Sequence, residues 1–153
     1  MFADWPATLA EVAQIFGLPG LVPDEHNQVA FQLEDGLTIT LALPLQEGAT
    51  GQMIGEVARP ADGAFDEMAQ AMLALNGRLV EAAGACFALH PAHATVLVIL
   101  PFVDWQLEPQ SFAILVQRFI GLCRIWNEKI QRADPDLSLE ARIVATLDHA
   151  GIE

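Results

Sequence analysis

Two runs of alternating apolar residues meet at Asp35-Gly36, and no other feature of the chain constrains its fold as much. Val29, Phe31 and Leu33 alternate with Ala30 and Gln32 before it. Leu37, Ile39, Leu41 and Leu43 alternate with Thr38, Thr40 and Ala42 after it. A period of two sends each apolar set to one face of a strand. Asp-Gly between two such runs is the strongest short hairpin signal. The pattern predicts an antiparallel hairpin with one apolar face and one face of Thr and Gln that is more open to water.

Helical periods flank this hairpin. Trp5, Leu9, Val12 and Phe16 recur at helical spacing from about Asp4 to Phe16. Asp4 suits the N-cap and Pro6 the first turn, and Gly17 and Pro19 end the helix. After the hairpin, Pro44 closes the second strand, and a third strand is predicted from about Gln52 to Arg59. Pro60 to Gly63 breaks the chain before a second helix, Phe65 to Ala83. Asp66, Glu67, Gln70, Gly77, Arg78 and Glu81 fall on one arc of that helix, about a third of its circumference. Met68, Met72, Leu73, Leu75, Leu79 and Val80 spread over most of the remainder. A helix on a sheet needs a narrower apolar stripe. The width fits two partners, its own sheet and a second subunit, or else a helix sunk deep in its own core.

Ala85 to His90 reads as a strand, Pro91 to Ala94 as a turn, and Thr95 to Phe102 as a longer strand. Val96 to Leu100 is apolar without alternation, which predicts a strand covered on both faces. A third helix runs from Pro109 to about Ala133, with Phe112, Leu115, Val116, Phe119, Cys123, Trp126 and Ile130 at helical spacing. Asp134-Pro135-Asp136 breaks it, and Leu137 to His149 reads as a short last helix. The expected fold is α+β: a single domain over residues 1–153, in the order α-β-β-β-α-β-β-α. A twisted, mainly antiparallel sheet is packed by helices, and a short C-terminal helix follows.

Composition then narrows the function. Apolar residues make up 53% of the 153, enough to offset the entropy of ordering a chain of this length. There are 20 Asp plus Glu against 7 Lys plus Arg, a formal net charge of −13. That charge repels phosphate backbones and anionic membrane surfaces and favours basic partners. The longest apolar run, Val96 to Val103, is about half the ~20 residues of a spanning helix, so no membrane insertion is expected. Met1 to Pro6 has neither a basic n-region nor an h-region, so no signal peptide is expected there. Cys86 and Cys123 are expected as buried, reduced thiols of a cytoplasmic protein.

No catalytic set is evident, and the chain reads as no enzyme. There is no G-x-S-x-G. Ser111 and Ser138 sit near predicted helix starts, where capping is their ordinary role. His90 and His93 flank a tight turn with no further ligand at metal-binding spacing. Gly48, Gly51 and Gly55 lack a Walker lysine and a following helix start, and read as loop flexibility. Asp66-Glu67 and Asp134/Asp136 precede or begin helices, where carboxylates serve caps and the macrodipole. No cofactor and no metal are expected.

The element order in a small acidic chain resembles the class I type III secretion chaperones, the Tir chaperone (CesT) family. The residues that carry the resemblance are Leu9 and Phe16-Gly17-Leu18, the hairpin at Asp35-Gly36, Leu75-Asn76, Phe87-Ala88-Leu89, Val96 to Leu100 and the long third helix. The tail from Leu137 to Glu153 goes beyond the minimal pattern. The resemblance implies a bacterial cytoplasmic homodimer built from the second helix and neighbouring late strands. It also implies a client, the N-terminal segment of a secreted effector, held in extended form without any nucleotide. Mapped here, the dimer seam includes Met68, Met72, Leu75 and Leu79. The effector-binding surface includes Val12, Phe31, Leu37 and Ile39. Two other classes stay open: a regulatory or adaptor module of the same fold that binds a folded partner, and a small enzyme with a pocket at His90, His93 or Asp104.

Overall fold

The computed structural model describes residues 4–58, 65–90, 92–93, 95–103 and 108–131. Their elements are α1 (Trp5–Phe16), β1 (Gln28–Gln32), β2 (Thr38–Ala42), β3 (Thr50–Ala58), α2 (Phe65–Ala83), β4 (Cys86–Leu89), β5 (Val96–Val103) and α3 (Pro109–Gln131). The strands form one five-stranded sheet in the order β1-β2-β3-β5-β4. This is the expected α+β order. The predicted last helix, 137–149, lies outside the described residues.

Local chemistry sets the element ends. The Asp4 carboxylate accepts from the Ala7 N–H at 3.1 Å, which caps α1 two residues before Pro6 in its first turn. Gly17 closes the helix in the left-handed region, φ 61°, and the Leu18 N–H reaches back to the Ala13 carbonyl. The β1–β2 register pairs Phe31 with Ile39 and Val29 with Leu41, all buried, and Ala30 with Thr40 on the other face. A slip of one residue would exchange the faces, so burial fixes the register. Between the strands the loop is Glu34-Asp35-Gly36. The Gly36 N–H closes a turn on the Leu33 carbonyl, and Gly36 itself takes φ 87°. It is a three-residue loop ending in a left-handed glycine.

The described residues fall into two compact units, one drawn from Met1–Ile54 with Pro101–Ile120, the other from Gly55–Leu100 with Gly121–Glu153. In the first, Trp5 meets Phe112 edge-on at 5.2 Å and Phe102 at 6.1 Å, over a core that includes Leu9, Val12, Ile39, Leu41 and Met53. In the second, Trp126 is fully buried and Phe87 stands edge-on to it at 4.8 Å, with Leu79, Val96, Val98 and Cys123 also buried. Each such side chain contributes about 1.5–3 kcal/mol relative to leaving it in water.

Three sequence expectations change. Gly51 and Gly55 lie within β3 and are buried, not in a flexible loop. The Phe102 ring lies against Gly51, so the position requires the absence of a side chain. On β5, Val96 and Val98 are buried but Leu97, Ile99 and Leu100 are only half-buried. The described chain covers one face of that strand and leaves the other part-open. Cys86 is half-buried, not buried, because β4 turns it to the face opposite Phe87.

Candidate functional site

Two kinds of surface remain after the core is assembled: an unpaired strand edge and uncovered apolar faces. The edge belongs to β1, the first strand in the sheet order. The Leu43 N–H donates to the Asn27 carbonyl at 3.0 Å and the Leu33 N–H to the Leu37 carbonyl at 2.9 Å. Antiparallel pairs alternate between bonded and non-bonded. With the observed register, Val29 and Phe31 therefore bond to β2, while the main-chain groups of Gln28, Ala30 and Gln32 point away from it.

Asp24 holds the first of these. Its carboxylate accepts from the Gln28 N–H at 2.9 Å, and its own N–H donates to the Gln28 carbonyl at 2.9 Å. Asn27, at φ 59°, sends its side-chain amide to the Leu43 and Pro44 carbonyls and so fixes the chain that leads into β1. Ala30 and Gln32 are left exposed, with outward N–H and C=O groups that no other described main-chain group meets. In the same unit Val22 and Leu45 stand 79% and 81% exposed, and Ile15 is exposed on α1.

In the second unit the wide apolar arc of α2 divides. Met72, Leu75 and Leu79 are buried in the chain's own core, while Leu73 is 74% and Val80 52% exposed. At 3.6 residues per turn Gly77 and Val80 lie within about 40° of Leu73, on the far side of the helix from Leu75 and Leu79. The exposed face of the β4–β5 pair is apolar as well. Cys86 stands opposite Ile99 and Ala88 opposite Leu97, all four half-buried.

Most of the residues mapped from sequence are buried within the described chain. Val12, Phe31, Leu37 and Ile39 are all buried, because they carry the apolar side of the period that builds the core. Met72, Leu75 and Leu79 are buried for the same reason, and the Met68 side chain lies outside the described residues. What sequence reasoning missed is the main chain of Ala30 and Gln32 and the pair Leu73 and Val80. The hairpin register carried a signal for the first. Nothing in the periodicity separated the second from their buried neighbours.

Chemistry of other kinds is sparse. His90 and His93 stack at 4.5 Å, and the His90 ring accepts from the Ala92 N–H. Asp104 lies outside the described residues. Among the described residues no three His, Cys, Asp or Glu side chains gather as metal ligands, and no helix is long and apolar enough to cross a membrane.

A sheet of this order, with one helix before it, one between β3 and β4 and one after it, is the fold of type III secretion chaperones. Solved structures that carry that likeness include the following three. The ExsC–ExsE complex matches at 18% identity over 83% of this chain and 93% of that one, with a TM-score of 0.68. The HopA1–SchA chaperone–effector complex matches at 16% identity over 81% and 93%, with a TM-score of 0.63. The Yersinia pestis type III secretion chaperone SycH, in complex with a stable fragment of YscM2, matches at 12% identity over 78% and 97%, with a TM-score of 0.54. No family model and no curated protein sequence matches the chain.

Proposed function

We propose that this chain is a type III secretion chaperone of the bacterial cytoplasm, which binds the N-terminal segment of a secreted effector in extended form and keeps it competent for export. The observation that carries this reading is the open edge of β1 at Ala30 and Gln32 on this fold. A client strand gains main-chain hydrogen bonds at such an edge and buries its apolar side chains on nearby surface. Ordering an extended client costs a few kcal/mol, so broad coverage is needed for tight binding. Val22, Ile15 and Leu45 are apolar surface available to it in the same unit.

A homodimer completes the proposal. Leu73 and Val80 on α2, and the half-buried face of Cys86, Ala88, Leu97 and Ile99, are apolar surface that the described chain does not cover. A two-fold axis would set such a patch against its own copy. Leu73→Glu would then place a charge on both sides of the seam and yield a folded monomer by light scattering. Leu75→Glu, in the chain's own core, would unfold the protein instead. A Leu73→Glu protein that keeps the unaltered mass would remove the α2 seam.

The client is first identified by pull-down and mass spectrometry, and hydrogen exchange then tests the binding mode. The Ala30 and Gln32 amides are expected to gain protection with an effector segment that is unstructured when free. Protection confined to one compact patch, with a partner already folded when free, would make the chain an adaptor and overturn the chaperone reading.

A further inference from the structure

The other end of the sheet order is β4, and its outer edge is not open. The His90 N–H donates to the Thr95 carbonyl at 2.9 Å, which makes that pair a bonded one. Alternation along the β4–β5 register then bonds Ala88 to Leu97 and Cys86 to Ile99, and turns the main chain of Phe87 and Leu89 outward. The outward groups of Phe87 are both taken by one side chain. The Phe87 N–H donates to Asn76 Oδ1 at 2.7 Å, and Asn76 Nδ2 donates to the Phe87 carbonyl at 3.2 Å. A primary amide sets a carbonyl acceptor beside an NH2 donor, as a neighbouring strand offers a C=O and an N–H. Asn76 on α2 therefore pairs with Phe87 as a sixth strand would.

We propose that Asn76 is an edge plug: it occupies the strand-pairing groups of β4, bars strand addition there, and leaves β1 as the edge open to a client. β4 has four residues, of which only Phe87 and Leu89 face outward. Once Phe87 is taken, Leu89 alone is left, too little for a strand to zip onto. An unprotected edge is a template for pairing with further copies, and folded proteins close such edges by side chains or covering elements. The same device works in miniature on β1, where Asp24 takes both main-chain groups of Gln28 and trims the open edge to Ala30 and Gln32. The role of β1 rests on the chaperone reading. The closure of β4 does not, and it is tested on the chain alone, so either can fail without the other.

The test compares the two outward amides of β4 and then removes the plug. By hydrogen exchange, Phe87 is expected to exchange at least about tenfold more slowly than Leu89, since among the described residues only Phe87 of the two has a partner for its outward amide. Asn76→Ala should bring Phe87 to the Leu89 rate. In sedimentation velocity it should also form species larger than the unaltered protein, growing with concentration. Adding Leu89→Pro to Asn76→Ala should reverse that growth. It removes an outward N–H and no bond to β5, and it would not rescue a protein that was merely less stable. If Asn76→Ala does not fold, Asn76→Asp serves: it keeps the acceptor for the Phe87 N–H and should keep that amide slow. Equal exchange of Phe87 and Leu89 in the unaltered protein would overturn the proposal. So would an Asn76→Ala protein of unchanged size at every concentration, growth that Leu89→Pro leaves in place, or a Phe87 amide unprotected in Asn76→Asp.

Discussion

Gly51 shows how a single residue is fixed by a distant one. A methyl group on its Cα would clash with the edge of the Phe102 ring and stand 2.9 Å from the Ala42 carbonyl oxygen. The ring could turn aside, but the main-chain oxygen belongs to the sheet. Gly51→Ala should cost about 1–3 kcal/mol, in the range of overpacked cores. Gly20, which has nothing within 4 Å of the same position, should tolerate alanine without loss. Urea titrations of both variants give the comparison. Thr8 presents the opposite case, since its hydroxyl is buried without a hydrogen-bond partner among the described residues. Thr8→Val removes the orphan group and should raise stability by about 1 kcal/mol. The two thiols differ by the same logic. Burial pushes Cys123 from 9.0 up to about 12, while Cys86 is half-buried. At pH 8 a disulfide reagent should reach Cys123 only on unfolding. The folded Cys123 keeps its proton where the unfolded one has lost it. Its contribution to stability is therefore full below 9.0 and declines as pH rises toward about 12.

Among the elements, α1 and the hairpin were legible because their signals are local. Asp4, Pro6 and Gly17 mark helix ends by their own chemistry, and the alternation from Val29 to Leu43 states which side chains go inward. The two sides of α2 were not legible. Leu73 and Val80 match Leu75 and Leu79 in hydrophobicity, so burial is decided by where the sheet lies and not by residue type. Gly51 and Gly55 were misread for a related reason. Glycine disfavours strands by itself, and only the approach of Phe102 accounts for it at 51. The β1 edge was half legible: alternation implied a strand, but which main-chain groups stay free follows from Asp24 and the register. The period of α3 placed Trp126 inward with Phe119 and Cys123, and all three are buried. Trp126→Ala should cost roughly 3–5 kcal/mol, as large aromatic truncations do. Calorimetry should show the melting temperature falling well below that of the unaltered protein.

At the scale of the whole molecule, the proposed effector binding predicts that charge governs encounter more than residence. Each chain carries a formal −13, and a pair would carry twice that. An effector segment bearing lysines and arginines should be captured faster at low salt, and capture should slow as salt screens the field. If burial and main-chain hydrogen bonds hold the bound segment, its release rate should change little over the same range. Stopped-flow association and dissociation at several ionic strengths separate the two. A release rate that rises as steeply as the capture rate falls would make charge, not burial, the force that holds the client.

The two buried indoles reach beyond packing. Trp5 lies in the first unit and Trp126 in the second, each with phenylalanine edge-on to it. With the other two tryptophans replaced by phenylalanine, each would serve as a private fluorescent reporter of its own unit. Residues of β3, β5 and α3 belong to both units, so loosening either one withdraws parts of the other's sheet and helix. The two emission signals should therefore shift at the same denaturant concentration. The chain would then unfold as one cooperative body.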